Sequence, residues 1–158
     1  MTQAEAVVQY AIDNNLGCLT GSRAFNVAHY GSDFDLMTSP IPHRELETAI
    51  SNIRIEGVQL LNSTPGLYEA CVYYHFADNS VLNVIPLSME KLPAWIFATN
   101  AMIEMIDENL IDANTPKRER ILAFEHLVMA ARITEAPYVT AGQSIKQQND
   151  RMKEKENA

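Results

Sequence analysis

Residues 18–37, CLTGSRAFNVAHYGSDFDLM, constrain this chain more than any other stretch. They open on an apolar run, break at Gly21-Ser22, cross a polar loop and close on Ser32-Asp33-Phe34-Asp35-Leu36. In a strand, residues i and i+2 point to the same side. Asp33 and Asp35 are therefore expected on one face, with Phe34 and Leu36 buried on the other. Two carboxylates held that close repel each other, and a hard cation between them relieves the repulsion. The pattern asks for a strand that is apolar on one side and acidic on the other.

The flanking sequence supplies the partners of such a strand. Ala4, Val7, Val8, Ala11 and Ile12 form a helical stripe over 4–14, stopped by Asn14-Asn15 and Gly17. Residues 16–20 read as a short strand, 24–30 as a helical turn leading into a loop, and 33–39 as a second strand ended by Pro40 and Pro42. Leu46, Ala49, Ile50 and Ile53 predict a helix over 42–52 that lies on the sheet. A β-rich section begins at Gly57, turns at Pro65-Gly66, continues through YEACVYYHF (68–76), and returns through a hairpin at 77–80 into VLNVIPL (81–87). Helical periodicity then takes over at 89–105 and 117–133, the second helix starting at Thr115-Pro116. From Gln143 the chain is polar, which predicts a frayed or disordered tail. The expected fold is α/β (α+β): a small mixed sheet flanked by helices, with a C-terminal helical pair. It forms one domain over 1–140 (core 1–88, helical pair 89–135), followed by a flexible tail over 141–158.

Composition narrows the function classes. At 158 residues and 47% hydrophobic content, the chain can bury a single core. No apolar run approaches the ~20 residues of a membrane span, and Met1-Thr2-Gln3-Ala4-Glu5 is no basic leader, so a cytoplasmic protein is expected. Cys18 and Cys71 are too few and too isolated for a disulfide framework or a zinc site, and read as small buried hydrophobes. A formal charge of −8 argues against a long duplex nucleic acid as partner. A nucleotide, a short RNA end or a protein partner stays open.

The run GSRAFNVAHYGSDFDL resembles the signature of the DNA polymerase β-type nucleotidyltransferase superfamily, particularly its small single-domain bacterial and phage members. The matching residues are Gly21, Ser22, Asp33 and Asp35, with Arg23-Ala24 and Ser32 also agreeing, and the element order extends the likeness loosely to about residue 90. The resemblance implies Mg²⁺ (or Mn²⁺) held by Asp33 and Asp35, and an NTP bound by Gly21, Ser22, Arg23 and Ser32. It also implies transfer of a nucleoside monophosphate to a hydroxyl acceptor, which can be an RNA end, a protein or a small molecule, with release of pyrophosphate. Gly21 lets the backbone approach a phosphate, Ser22 offers a hydroxyl and an N–H, and Arg23 either binds phosphate or caps the local structure. In two-metal phosphoryl transfer one ion activates the attacking oxygen and the other neutralises the leaving group. His29, in the loop, reads as an ordinary loop histidine.

One departure stands out. The resemblance implies a third carboxylate, completing the catalytic set from a later strand, where this chain carries Asn83. An amide oxygen can ligate Mg²⁺, but it brings no charge and cannot act as a base. Either Asn83 takes the third position, or the register differs and Glu69 or Asp78 fills it; Glu69 also suits a strand end and Asp78 a turn. Lys117, Arg118 and Arg120 can reach a phosphate or simply form a solvated face, and Trp95, Phe97, Phe124 and Leu127 are expected in the core between the helices. The alternative function is a catalytically weak or inactive relative that binds a nucleotide or a protein partner as a regulatory module.

Overall fold

Strand β5 (Val81–Pro86) sets the layering. It reads VLNVIP, and Leu82, Asn83, Val84 and Ile85 are all buried. A strand buried on both sides must lie inside a sheet that is covered on both faces. In a computed structural model describing residues 1–29, 31–66, 69–133 and 141–157, β5 is the middle of five strands. On one side of it lie β2 (Phe34–Thr38) and then the edge strand β1 (Cys18–Thr20); on the other lie β4 (Val72–Phe76) and β3 (Leu60–Pro65). β2 runs parallel to β5, while β1–β2, β5–β4 and β4–β3 pair antiparallel. The expected mixed sheet with flanking helices is the observed fold class.

Helices α1 (Gln3–Asp13) and α3 (Pro40–Ser51) cover one face. Val7, Val8 and Ala11 of α1 and Leu46 and Ile50 of α3 pack there with Leu36, Leu82, Val84 and Phe76. Thr2 caps α1 by accepting the Glu5 N–H at 3.1 Å. Pro40, expected only to stop β2, also opens α3, where its fixed φ suits the first turn and its missing N–H costs nothing. On this face the Tyr74 hydroxyl donates to Glu47 Oε2 at 3.0 Å and lies 2.9 Å from His43 Nε2.

The other face carries α4 (Lys91–Asp107) and α5 (Lys117–Ile133), where the helical pair was expected. Trp95 and Phe124 meet edge to face at 5.0 Å, and Phe25 packs on Phe124 at 6.2 Å. Phe97, expected in this core, is 46% exposed. It sits two positions from Trp95, roughly 200° round the helix, so the two rings cannot share a face. Thr99 of α4 meets Thr20 of β1 hydroxyl to hydroxyl at 2.8 Å and donates to the Trp95 carbonyl. Cys18 and Cys71 are free and buried, and burial pushes the Cys18 thiol up to about 12. Among the described residues no helix is long and apolar enough to cross a membrane.

The region read as a flexible polar tail is instead helix α6 (Ala141–Glu156), and its Ile145 is completely buried. Low hydrophobicity misleads here because α6 docks mainly through amides and charges. Asn100 and Gln148 exchange two hydrogen bonds, at 2.8 and 3.0 Å. Glu104 pairs with Arg151 at 3.2 Å and Asp107 with Lys155 at 2.6 Å. Both series ascend together, so α6 runs parallel to α4. Asn149, 2% exposed, donates to the Gly17 carbonyl at 2.9 Å and ties α6 to the edge of the sheet. Ile145→Ala should therefore lower the unfolding free energy by about 2–4 kcal/mol in urea denaturation. A tail without tertiary contacts would show no change.

Candidate functional site

One row of side chains crosses the whole sheet. Thr20 pairs with Asp35, Asp35 with Asn83, Asn83 with Tyr73, and Tyr73 with Thr64. Residues in register on neighbouring strands point to the same face, so this polar row lies on the α4 side. The next row in, Cys18–Met37–Ile85, is apolar and belongs to the core. Asp35 is thus the innermost carboxylate that the sheet can offer. Asp33 is exposed and falls just before β2, so only Asp35 of the expected pair is fixed by the strand ladder.

The Gly-Ser break sits directly against this row. Gly21 has φ +69°, and a Cβ there would lie 2.3 Å from Asp35 Oδ2. Both the conformation and the space require glycine. Ser22 is half-buried in the short helix α2 (Gly21–Ala24), which forms ahead of the helical turn expected over 24–30. Arg23 turns inward: its guanidinium lies 4.4 Å above the Phe34 ring and donates to the Ser32 carbonyl at 2.6 Å. Ser32 closes a turn, its hydroxyl accepting the His29 N–H at 2.9 Å. Here Arg23 and Ser32 brace the loop that delivers Asp33 and Asp35, and His29 belongs to the same turn.

Of Asn83, Glu69 and Asp78, the structure places Asn83 beside Asp35. Asn83 is the direct neighbour of Asp35, and its Nδ2 donates to Asp35 Oδ1 at 3.0 Å. Glu69 instead pairs with Lys91 at 2.9 Å, and Asp78 accepts from the Gln3 N–H and from Ser80 in the β4–β5 turn. The Asn83 Oδ1 is buried without a hydrogen-bond partner among the described residues. Burial pushes the Asp35 carboxyl above its ordinary value; the Asn83 bond opposes this, the Asp33 charge adds to it, and the Lys117 charge pulls it back. Lys117 is thus the member of the α5 basic cluster whose charge reaches Asp35. Burial also raises the Tyr73 phenol, helped by Cys71 and by the charges of Asp35 and Asp33. Tyr73 and Thr20 flank the site without being singled out by the sequence, because their places follow only from strand register.

Among the described residues no three His, Cys, Asp or Glu side chains come together as a metal-binding group. The carboxylates within electrostatic reach of each other are those of Asp33 and Asp35, and Asn83 turns its N–H rather than its Oδ1 to Asp35. That carboxylate pair suits a magnesium ion which completes its shell with substrate phosphates and water, the usual habit of Mg²⁺. It lacks the third carboxylate of a paired-ion set. A cleft of about 550 Å³ is lined by Glu69, Lys91, Trp95, Met129 and Arg132, and neither Asp33 nor Asp35 takes part in its lining. The chain matches no protein-family model, no curated protein and no solved structure.

Two predictions follow from the crowding and burial at Asp35. Gly21→Ala should cost about 1–3 kcal/mol through its positive φ and the displaced carboxylate. In the double variant with Asp35→Ala the crowding against the carboxylate should be relieved, while the 3.2 Å approach to the residue-35 Cβ and the φ part remain, as read by a denaturation cycle. A carboxyl whose pKa is raised on folding weakens the fold as pH climbs through the interval between its unfolded and folded values. Asp35→Asn should therefore stabilise the ligand-free protein near pH 7, with the gain fading below the ordinary carboxylate range; equal gains at both pH values would contradict the assignment.

Proposed function

We propose that this chain is a nucleotidyltransferase of the polymerase β type. It binds an NTP with Mg²⁺ and moves the nucleoside monophosphate to a hydroxyl acceptor, releasing pyrophosphate, in the cytoplasm. The observation that carries this reading is the contact between Gly21 and Asp35: a backbone free of Cβ lies against a half-buried carboxylate. Phosphate resting on the Gly21-Ser22 backbone would lie next to the acids that attract its counter-ion. Gly21 and Ser22 would bind phosphate, while Asp33 and Asp35 would hold the ion. When bound, that ion would draw off charge from the phosphate oxygens. Arg23, bonded to the Ser32 carbonyl and stacked on Phe34, would keep the loop in place rather than touch phosphate. Lys117 would add positive charge within electrostatic reach of Asp35.

A second reading is favoured by the Asn83–Asp35 hydrogen bond. Asn83 cannot accept a proton from an attacking hydroxyl, so transfer would be slow and the protein would serve as a nucleotide-binding or protein-binding regulatory module. The two readings separate on incubation with each α-³²P-labelled NTP, Mg²⁺ or Mn²⁺ and a cell extract. The enzyme should transfer label, and the Asp33→Ala/Asp35→Ala double variant should not. Thermal stabilisation by NTP without transfer would favour the module. If neither appears and the double variant behaves as the native chain does, both nucleotide readings fail.

A further inference from the structure

We infer that the site holds a single divalent cation with its nucleotide, the Asn83 amide closing off the position that a second ion would need. This rests on the nucleotide-binding reading above and deepens it. Two ions that share a carboxylate are best held with one oxygen each. Asp35 does not offer that. Its Oδ1 already receives the Asn83 Nδ2–H at 3.0 Å, which leaves Oδ2, the oxygen beside the Gly21 backbone, for one ion. The positive end of an N–H dipole on Oδ1 opposes a cation at the same oxygen.

Asn83 is also poorly placed to change its role. It sits in the central strand with Asp35 in register on one side and Tyr73 on the other, and it is only 9% exposed. Turning the amide over would set Oδ1 against the carboxylate, acceptor to acceptor. In the observed orientation that same Oδ1 is buried without a partner among the described residues, so the amide already forgoes one hydrogen bond while keeping the one to Asp35. Charge points the same way. Asp33 and Asp35 balance one divalent ion, whereas a second would meet a neutral amide where a carboxylate would otherwise stand. The Lys117 charge, which already reaches Asp35, adds to the repulsion. On the protein side, the carboxylates therefore supply the charge to hold one cation, and Asn83 adds none for a second.

The test counts ions. The full chain is loaded with Mn²⁺ and an NTP analogue whose α–β bridge is methylene, and the complex is read by native mass spectrometry and by Mn²⁺ electron paramagnetic resonance. The native chain should carry one Mn²⁺ per bound analogue, with no manganese–manganese coupling. Asn83→Asp should carry two, with coupling. Two ions in the native complex overturn the inference, and so does an analogue bound with none. A count of one in both chains overturns the role given to Asn83. If the analogue fails to shift the melting temperature of the native chain at all, nucleotide binding itself is wrong. That outcome is distinct from a bound analogue with the wrong number of ions.

Discussion

The contact between Asp35 and Asn83 joins the one parallel strand pair among the described residues at its most polar point. An ionised carboxylate taken out of water needs compensation, and an unpaired one would shift its pKa or disrupt the packing. Here the compensation is a neutral amide from the strand beside it, with a lysine charge acting from α5. The arrangement lets β2 bring an acid to the border of the core without a buried ion pair. Around it the rows alternate cleanly: polar across Thr20, Asp35, Asn83 and Tyr73, then apolar across Cys18, Met37 and Ile85.

That placement also explains why the Gly-Ser turn, the acidic strand and the helices behave as one unit. β1 ends at Thr20, whose hydroxyl is held by Thr99 of α4, and Gly21 follows at once with its backbone against Asp35. Phe25 then closes α2 and packs on Phe124, which packs on Trp95. Lys117 is two helical turns before Phe124, so the contact that anchors α5 also directs Lys117 toward the same side of the helix. The candidate site is assembled by core packing on one side of a sheet.

Much of this was readable from the residues alone, and for physical reasons. The period-2 alternation in β2 and the near-continuous apolar run of β5 report burial directly, so strand identity could be anticipated, whereas Asn83 beside Asp35 was implied only by the family resemblance, with Glu69 and Asp78 as alternatives. What could not be read is register-dependent or carried by polar groups. Tyr73 joins the row only because β4 pairs with β5 at Asn83. Arg23 carries the same charge whether it reaches for phosphate or folds onto Phe34, and only tertiary geometry distinguishes the two. The outward side of Phe97, by contrast, was legible, since a residue two positions from Trp95 in a helix falls on the opposite side. Helix α6 was missed because it has few apolar residues, and amide and charge complementarity between helices leaves no periodic hydrophobic signature.

The tie between Asn149 and Gly17 links residues 132 positions apart. During synthesis the edge strand beside Gly17 is made early, whereas the helix that covers it is made after every strand. Contacts of such long sequence separation are slow to form because the loop-closure entropy must be overcome first. The nascent chain can therefore build its sheet and inner helices before α6 docks, so that the edge beside Gly17 is the last part of the sheet to be covered.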